Sequence, residues 1–220
     1  MTAFGGRYPS PRPVAEHVFE TASSETLHTG NIFALRRDGV RMPAGNVAIR
    51  EVVEHYGAVA IVAMDESSNI PLVYQYRHTF GRRLWELPAG LLDVAGEPPH
   101  LTAARELKEE VGLQAGSWRV LVDLDTAPGF SDESVRVYLA TDLSEVDRPH
   151  PHDEEADMSM RWTPLEEAVR LVLSGEVVNS IAVGGILAAH AVTNGVAQPR
   201  PVDSPWIDKS KAFAARKAAR

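Results

Sequence analysis

The feature that most constrains this 220-residue chain is an unbroken apolar run over residues 57–64, Gly-Ala-Val-Ala-Ile-Val-Ala-Met. A strand wetted on one face alternates apolar and polar residues, so a run without a polar position must be covered on both faces. Eight residues are too few for an ordinary helix but suit a strand. The polar stretch 65–69 ends the run, and residues 70–76 are expected to return as its hairpin partner. Further strands are expected at 84–87, closed by Pro88-Ala89-Gly90, and at 118–125, 134–140 and 158–162. Helical patterning covers 101–111, stopped by Gly112, then 165–173 behind an N-cap at Thr163 and a first-turn Pro164, then 181–192. Strands mixed with a few helices indicate an α+β sandwich, not a βαβ array.

The two ends read differently. Pro9, Pro11 and Pro13 make residues 1–15 a loose arm. Short β-like pieces follow to residue 50, with a strand at 31–36 expected to enter a hairpin turn at Arg37-Asp38-Gly39. A region of that size buries little core, so it must pack on the main domain or on a partner subunit. The expected division is an N-terminal arm and small β region at 1–50, a main domain at 51–195 and a C-terminal tail at 196–220. The tail's Lys209, Lys211, Arg216, Lys217 and Arg220 suggest a solvated basic helix. Net charge is −8, from 22 Lys+Arg against 30 Asp+Glu, which disfavours nucleic acid or a membrane surface as partner. Cysteine is absent, which removes disulfides, thiolate metal sites and a cysteine nucleophile. No apolar stretch reaches the ~18–20 residues a bilayer requires, and residues 1–13 lack a signal core. A cytoplasmic protein is expected.

Chemistry concentrates in Arg105-Glu106-Leu107-Lys108-Glu109-Glu110-Val111-Gly112-Leu113. At about 100° per residue, Glu106, Glu109 and Glu110 share one helix face, while Ala104, Leu107 and Val111 share a neighbouring face that can be buried. Like charges at i,i+4 oppose the helix by a few tenths of a kcal/mol per pair. Three together call for a compensating cation, and an all-oxygen set selects a hard one, Mg²⁺ or Mn²⁺. Such an ion also lets an acidic protein hold a phosphate ester. The alternative is a solvated acidic face balanced by Arg105 and Lys108.

The surrounding residues favour the cation. Gly90, then Glu97, then Arg105-Glu106-apolar-x-Glu109-Glu110-x-Gly112-apolar resembles the signature of the Nudix hydrolases. Every defined position from Glu97 to Leu113 matches; the departure is one extra residue between Gly90 and Glu97. The likeness extends over about residues 47–192. It implies a Nudix fold, an α/β/α sandwich around a mixed sheet, and cleavage of a nucleoside diphosphate linked to another group. It implies two or three Mg²⁺ or Mn²⁺ ions on Glu106, Glu109, Glu110 and the Ala89 carbonyl, with Arg105 orienting the carboxylates.

Pro128, sixteen residues after Gly112, with its context 127–133 and Trp85-Glu86-Leu87-Pro88-Ala89-Gly90, is similar to the ADP-ribose pyrophosphatase subgroup. The likeness implies that Glu133 binds terminal ribose hydroxyls, with Leu91 at the substrate, Arg77 at the diphosphate and Arg50 at adenine. Arg82-Arg83 is the alternative to Arg77, and pairing with Glu51 or Glu54 is the alternative for Arg50. It implies a base on the loop 147–157, at Glu155 with Glu154 in reserve, and a metal contribution from Asp157. His150 and His152 read as solvated loop histidines. A homodimer that exchanges its N-terminal β region is implied by the same analogy. The competing readings are another nucleoside diphosphate substrate (a nucleotide sugar, NADH or coenzyme A) and a catalytically silent ADP-ribose sensor.

Overall fold

The structure is a computed structural model that describes residues 17–148 and 157–219. In chain order it contains β1 (Thr21–Thr29), β2 (Phe33–Arg41), β3 (Val47–His55), β4 (Ala58–Ala63) and β5 (Asn69–Arg77), then a 3₁₀ turn (His78–Phe80). There follow β6 (Arg82–Glu86), β7 (Ala89–Leu91), α1 (Pro99–Val111), β8 (Leu113–Asp125), β9 (Ser134–Glu145), β10 (Ser159–Pro164), α2 (Leu165–Leu173), α3 (Ser180–Thr193), β11 (Arg200–Pro201) and α4 (Ala212–Ala218).

The apolar run becomes β4, inside a five-stranded mixed sheet of order β11-β8-β9-β4-β7. β4 runs parallel to β9 and antiparallel to β7. Its residues alternate between two cores. Ala58, Ala60 and Val62 face α2 and α3 with Leu171 and Ile186. Val59, Ile61 and Ala63 face α1 with Ala103 and Leu107. Helices on both faces of the sheet explain why the strand carries no polar position, and they make the α/β/α sandwich.

Several local expectations are corrected. Residues 70–76 do not pair with β4, because both of its edges are already taken by β9 and β7. Asp65 accepts from the backbone N–H of Ser67 and Asn69, which turns the chain away, and β5 joins β10 and β6 in a second sheet of three strands. Pro88-Ala89-Gly90 does not close a strand but opens β7. The chain does not turn at Arg37-Asp38-Gly39: β2 continues through them, and the turn lies at 42–46, where the Gly45 N–H donates to the Met42 carbonyl. Asp38 is already engaged there, accepting from Arg36 Nε at 2.8 Å. Thr163 does not cap α2; β10 runs through Pro164, and the Thr163 hydroxyl bonds within residues 161–163.

β1, β2 and β3 form a separate antiparallel sheet. It is tied to the body where Val53 N–H donates to the Phe130 carbonyl at 2.7 Å and Asp132 N–H donates to the Val53 carbonyl at 3.1 Å. The C-terminal segment also packs down. Phe213 of α4 is fully buried, edge-on to Tyr56 at 4.6 Å. Arg216 donates to both oxygens of Glu54, so the basic helix is not simply solvated. No described helix is long and apolar enough to cross a membrane.

Candidate active site

α1 begins with Pro99 in its first turn, where a missing N–H costs nothing, and ends at Gly112 in the left-handed conformation (φ 67°) with its N–H on the Lys108 carbonyl. Burial of Ala103, Leu107 and Val111 sets its rotation. The carboxylates are thereby turned toward β7 and the loop before α1. Arg105 lies among them: it donates to Glu106 Oε1 at 2.7 Å, Glu109 Oε2 at 3.0 Å and Glu97 Oε2 at 3.3 Å. Burial opposes the Arg105 charge, but Glu97, Glu106 and Glu109 more than offset this and raise its pKa. Glu97 also accepts from Thr102 Oγ1 at 2.8 Å; Arg105 first and Thr102 second hold it below its ordinary value.

Glu110 is 6% exposed and accepts from the Ala89 N–H at 3.0 Å. Glu106 lies directly against Gly90, where a Cβ would overlap its carboxyl group. β7 is therefore the floor on which two of the helix carboxylates rest, and any side chain at its centre would displace Glu106.

The other side of β7 faces a cavity of about 440 Å³. Ala89, Gly90 and Leu91 line it, with Arg77, Glu86 and Glu133. Arg77 is held by a two-pronged pair with buried Glu86, at 2.9 and 2.6 Å, which sets the plane of its guanidinium. Glu133 accepts from the Thr126 hydroxyl and lies 3.3 Å from His55 Nδ1. The N-terminal end of α3, capped by Asn179 on the N–H groups of Ile181 and Ala182, forms another wall. A helix N-terminus carries partial positive charge, which suits an anionic ligand.

The structure thus brings Ala89, Leu91, Arg77 and Glu133 to one cavity and sets Glu106 and Glu110 behind its floor. Arg50 is not among the cavity residues; it sits exposed on β3, donates to the Ile49 carbonyl and pairs with neither Glu51 nor Glu54. Asp157 is paired with Arg83. Glu155, Glu154, His150 and His152 lie outside the described residues. Sequence inspection missed His55 and Thr126, which meet Glu133 only through the fold, and gave Glu86 no role; an acid in an otherwise apolar strand end, nine residues from Arg77, was the available signal.

Among the described residues no three His, Asp or Glu side chains converge on one point suited to a cation. The donor chemistry nevertheless fits one. Three carboxylates, Glu97, Glu106 and Glu109, surround a single guanidinium, and the local excess of negative charge is what a hard divalent ion offsets.

Residues 54–179 match the NUDIX domain family, and residues 19–53 match the nucleoside diphosphate sugar hydrolase N-terminal domain. The chain is 76% identical over 207 residues to an ADP-ribose pyrophosphatase of Mycobacterium tuberculosis, covering 94% of this chain and 100% of that one. It is 38% identical over 158 residues to an ADP-ribose pyrophosphatase of Bacillus subtilis, covering 72% and 85%. Its fold is similar to the crystal structure of an ADP compounds hydrolase (TM-score 0.70, 20% identity, 83% and 97% covered).

Proposed function

The chain belongs to the Nudix hydrolase family, and on that premise we propose that it hydrolyses the diphosphate of ADP-ribose to AMP and ribose 5-phosphate. The observation that carries this reading is the position of β7, one strand that forms the cavity floor and rests on Glu106 and Glu110. A diphosphate lying on that floor is beside the carboxylate helix, with Arg77 and the α3 N-terminus within the same cavity. Glu133 accepts hydrogen bonds from the vicinal hydroxyls of the terminal ribose, a task suited to a carboxylate, whose two oxygens can each accept more than one hydrogen bond.

Glu106, Glu109, Glu110, the Ala89 carbonyl and Asp157 would hold two or three Mg²⁺ or Mn²⁺ ions, which when bound neutralise charge gathering on the phosphoryl oxygens. Arg105 keeps the carboxylates oriented. Glu155 takes the proton of the attacking water as its oxygen bonds to phosphorus, and the bridging P–O bond breaks with its electrons going to the departing phosphate. Arg77, fixed by Glu86, offers that phosphate a guanidinium. Asp157 would exchange Arg83 for the substrate complex. The enzyme works as a cytoplasmic homodimer in which Arg50 serves the adenosine of the partner's site; exposed Val47 and Ile49 on the N-terminal sheet support such an interface.

The N-terminal domain match favours a second reading, hydrolysis of a nucleotide sugar. The deciding assay sets the purified chain against ADP-ribose, nucleotide sugars, NADH and coenzyme A, with and without EDTA. ADP-ribose should turn over fastest and EDTA should abolish the activity; a faster nucleotide sugar would install the second reading. Sedimentation should report about twice 24.0 kDa, and a clean monomer would remove the shared adenosine site.

A further inference from the structure

The C-terminal segment enters the wall of the cavity from behind. Ser210, 6% exposed, donates its hydroxyl to the Asp132 carbonyl at 2.6 Å and accepts the Ser134 N–H at 3.0 Å. Those two backbone groups flank Glu133. Regular pairing with β8 begins at Ser134; before it the Glu133 carbonyl accepts from the Thr126 N–H at 3.1 Å, the Glu133 N–H donates to Ser131 Oγ at 3.1 Å, and the Asp132 N–H donates to the Val53 carbonyl. The Ser210 hydroxyl ties together the two peptide groups on either side of Glu133.

Four further features place the serine there. Arg136, held by Asp123, donates to the carbonyls of Ser204 and Pro205 at 2.8 and 3.0 Å, and the Trp206 indole N–H donates to Ser134 Oγ at 2.9 Å. Phe213 anchors the chain beyond it against Tyr56. Gly57 leaves room for it: with φ at +76°, a Cβ there would come within 3.0 Å of both Ser210 Oγ and the Ser134 carbonyl. On the cavity side, Thr126 and His55 hold the Glu133 carboxylate. Ser210 thus braces the backbone on both sides of Glu133, while Thr126 and His55 hold its side chain.

We propose that Ser210 is a positioning residue for substrate recognition, holding the Glu133 backbone so that its carboxylate meets the terminal ribose. This rests on the assignment of Glu133 to the ribose hydroxyls. A group held within a fraction of an ångström binds better than one free to move, and the gain appears in binding more than in the phosphoryl chemistry at α1.

The test compares Ser210→Ala, Glu133→Gln and the double variant, with KM and kcat on ADP-ribose and thermal melting for each. Loss of the hydroxyl should raise KM about three- to ten-fold, the scale of one or two hydrogen bonds, with kcat within about two-fold. In the Glu133→Gln background the same substitution should raise KM by less than about two-fold, because the two residues act through one contact. Ser210→Cys, which keeps a weak donor and acceptor, should fall between wild type and Ser210→Ala and carries the comparison if the alanine variant does not fold. Unchanged KM in folded Ser210→Ala, while Glu133→Gln raises it, overturns the proposal. Equal effects in both backgrounds also overturn it, since Ser210 would then act on general stability alone. Unchanged KM in Glu133→Gln removes the ribose assignment and the proposal with it.

Discussion

The two larger sheets of this molecule are held together by different physics. In the five-stranded sheet, β4 is buried on both faces and every one of its side chains sits in an apolar core. In the N-terminal sheet, β1 is exposed along almost its whole length and Ala34 is the single buried apolar residue among β1–β3. What is buried there is charge. Asp38 and Glu54 are covered, and Glu54, 2% exposed, is gripped by Arg36 at 2.7 Å and by Arg216 of α4 at 2.7 and 2.9 Å. Arg216 also reaches Thr26 on β1. An apolar core holds a sheet in any orientation that keeps it dry, whereas a pair of guanidiniums on one carboxylate specifies the angle. The body therefore supplies stability and the ion pairs supply placement, and the second cannot substitute for the first.

The sharpest way to break that contrast is through the chemistry. Glu110→Gln should lower turnover of ADP-ribose by about two orders of magnitude or more, with both sheets intact by circular dichroism; wild-type turnover would remove the carboxylates of α1 from the reaction. The next effect is in stability. Leu107→Ala opens a cavity under β4 and should cost about 2–5 kcal/mol in denaturant unfolding. Ile49→Ala, on exposed β3, should cost about 0.5 kcal/mol or less in the monomer, and equal costs would mean that the N-terminal sheet has an apolar core of its own. The smallest effect is in pH. Arg216 first, against the opposing cost of burial, and Arg36 next hold Glu54 below its ordinary 4.5. Asp38 is also held low, Ser24 and Arg36 outweighing its burial. A lowered carboxyl pKa stabilises the fold above the unfolded value and loses that contribution as pH falls through the folded one. As pH falls below about 4.5 the N-terminal sheet should loosen first, seen as amide exchange in β1–β3 before β4. Asp132, raised by burial, runs the other way and should blunt the loss at the junction.

Legibility from sequence followed the range of the forces involved. The burial of β4 could be read because composition reports covering on both faces. α1, with its glycine stop and three carboxylates on one side, could be read because helix periodicity is local. Which strand pairs with which could not: β5 was assigned to β4 from proximity in the chain, and edge competition from β9, far along the sequence, decided otherwise. Of the site, Ala89, Leu91, Arg77 and Glu133 line one cavity, while the roles expected for them came from the family resemblance. His55 on Glu133 and Ser210 behind it carry no spacing signal, since each contact is made by tertiary packing alone. Arg216 looked like one more surface cation in a basic tail; only the fold shows that its partner, Glu54, is buried.

The parallel pairing of β4 with β9 also governs when the catalytic centre can exist. Its two strands are separated in the chain by β5, β6, β7, α1 and β8, so the floor strand and its helix emerge from the ribosome before the neighbour that completes their sheet. Loop closure over that distance is slow, and until it happens β7 pairs only with a β4 whose other edge is open. Nascent chains that stop before β9 should therefore be inert toward nucleotides rather than weakly active.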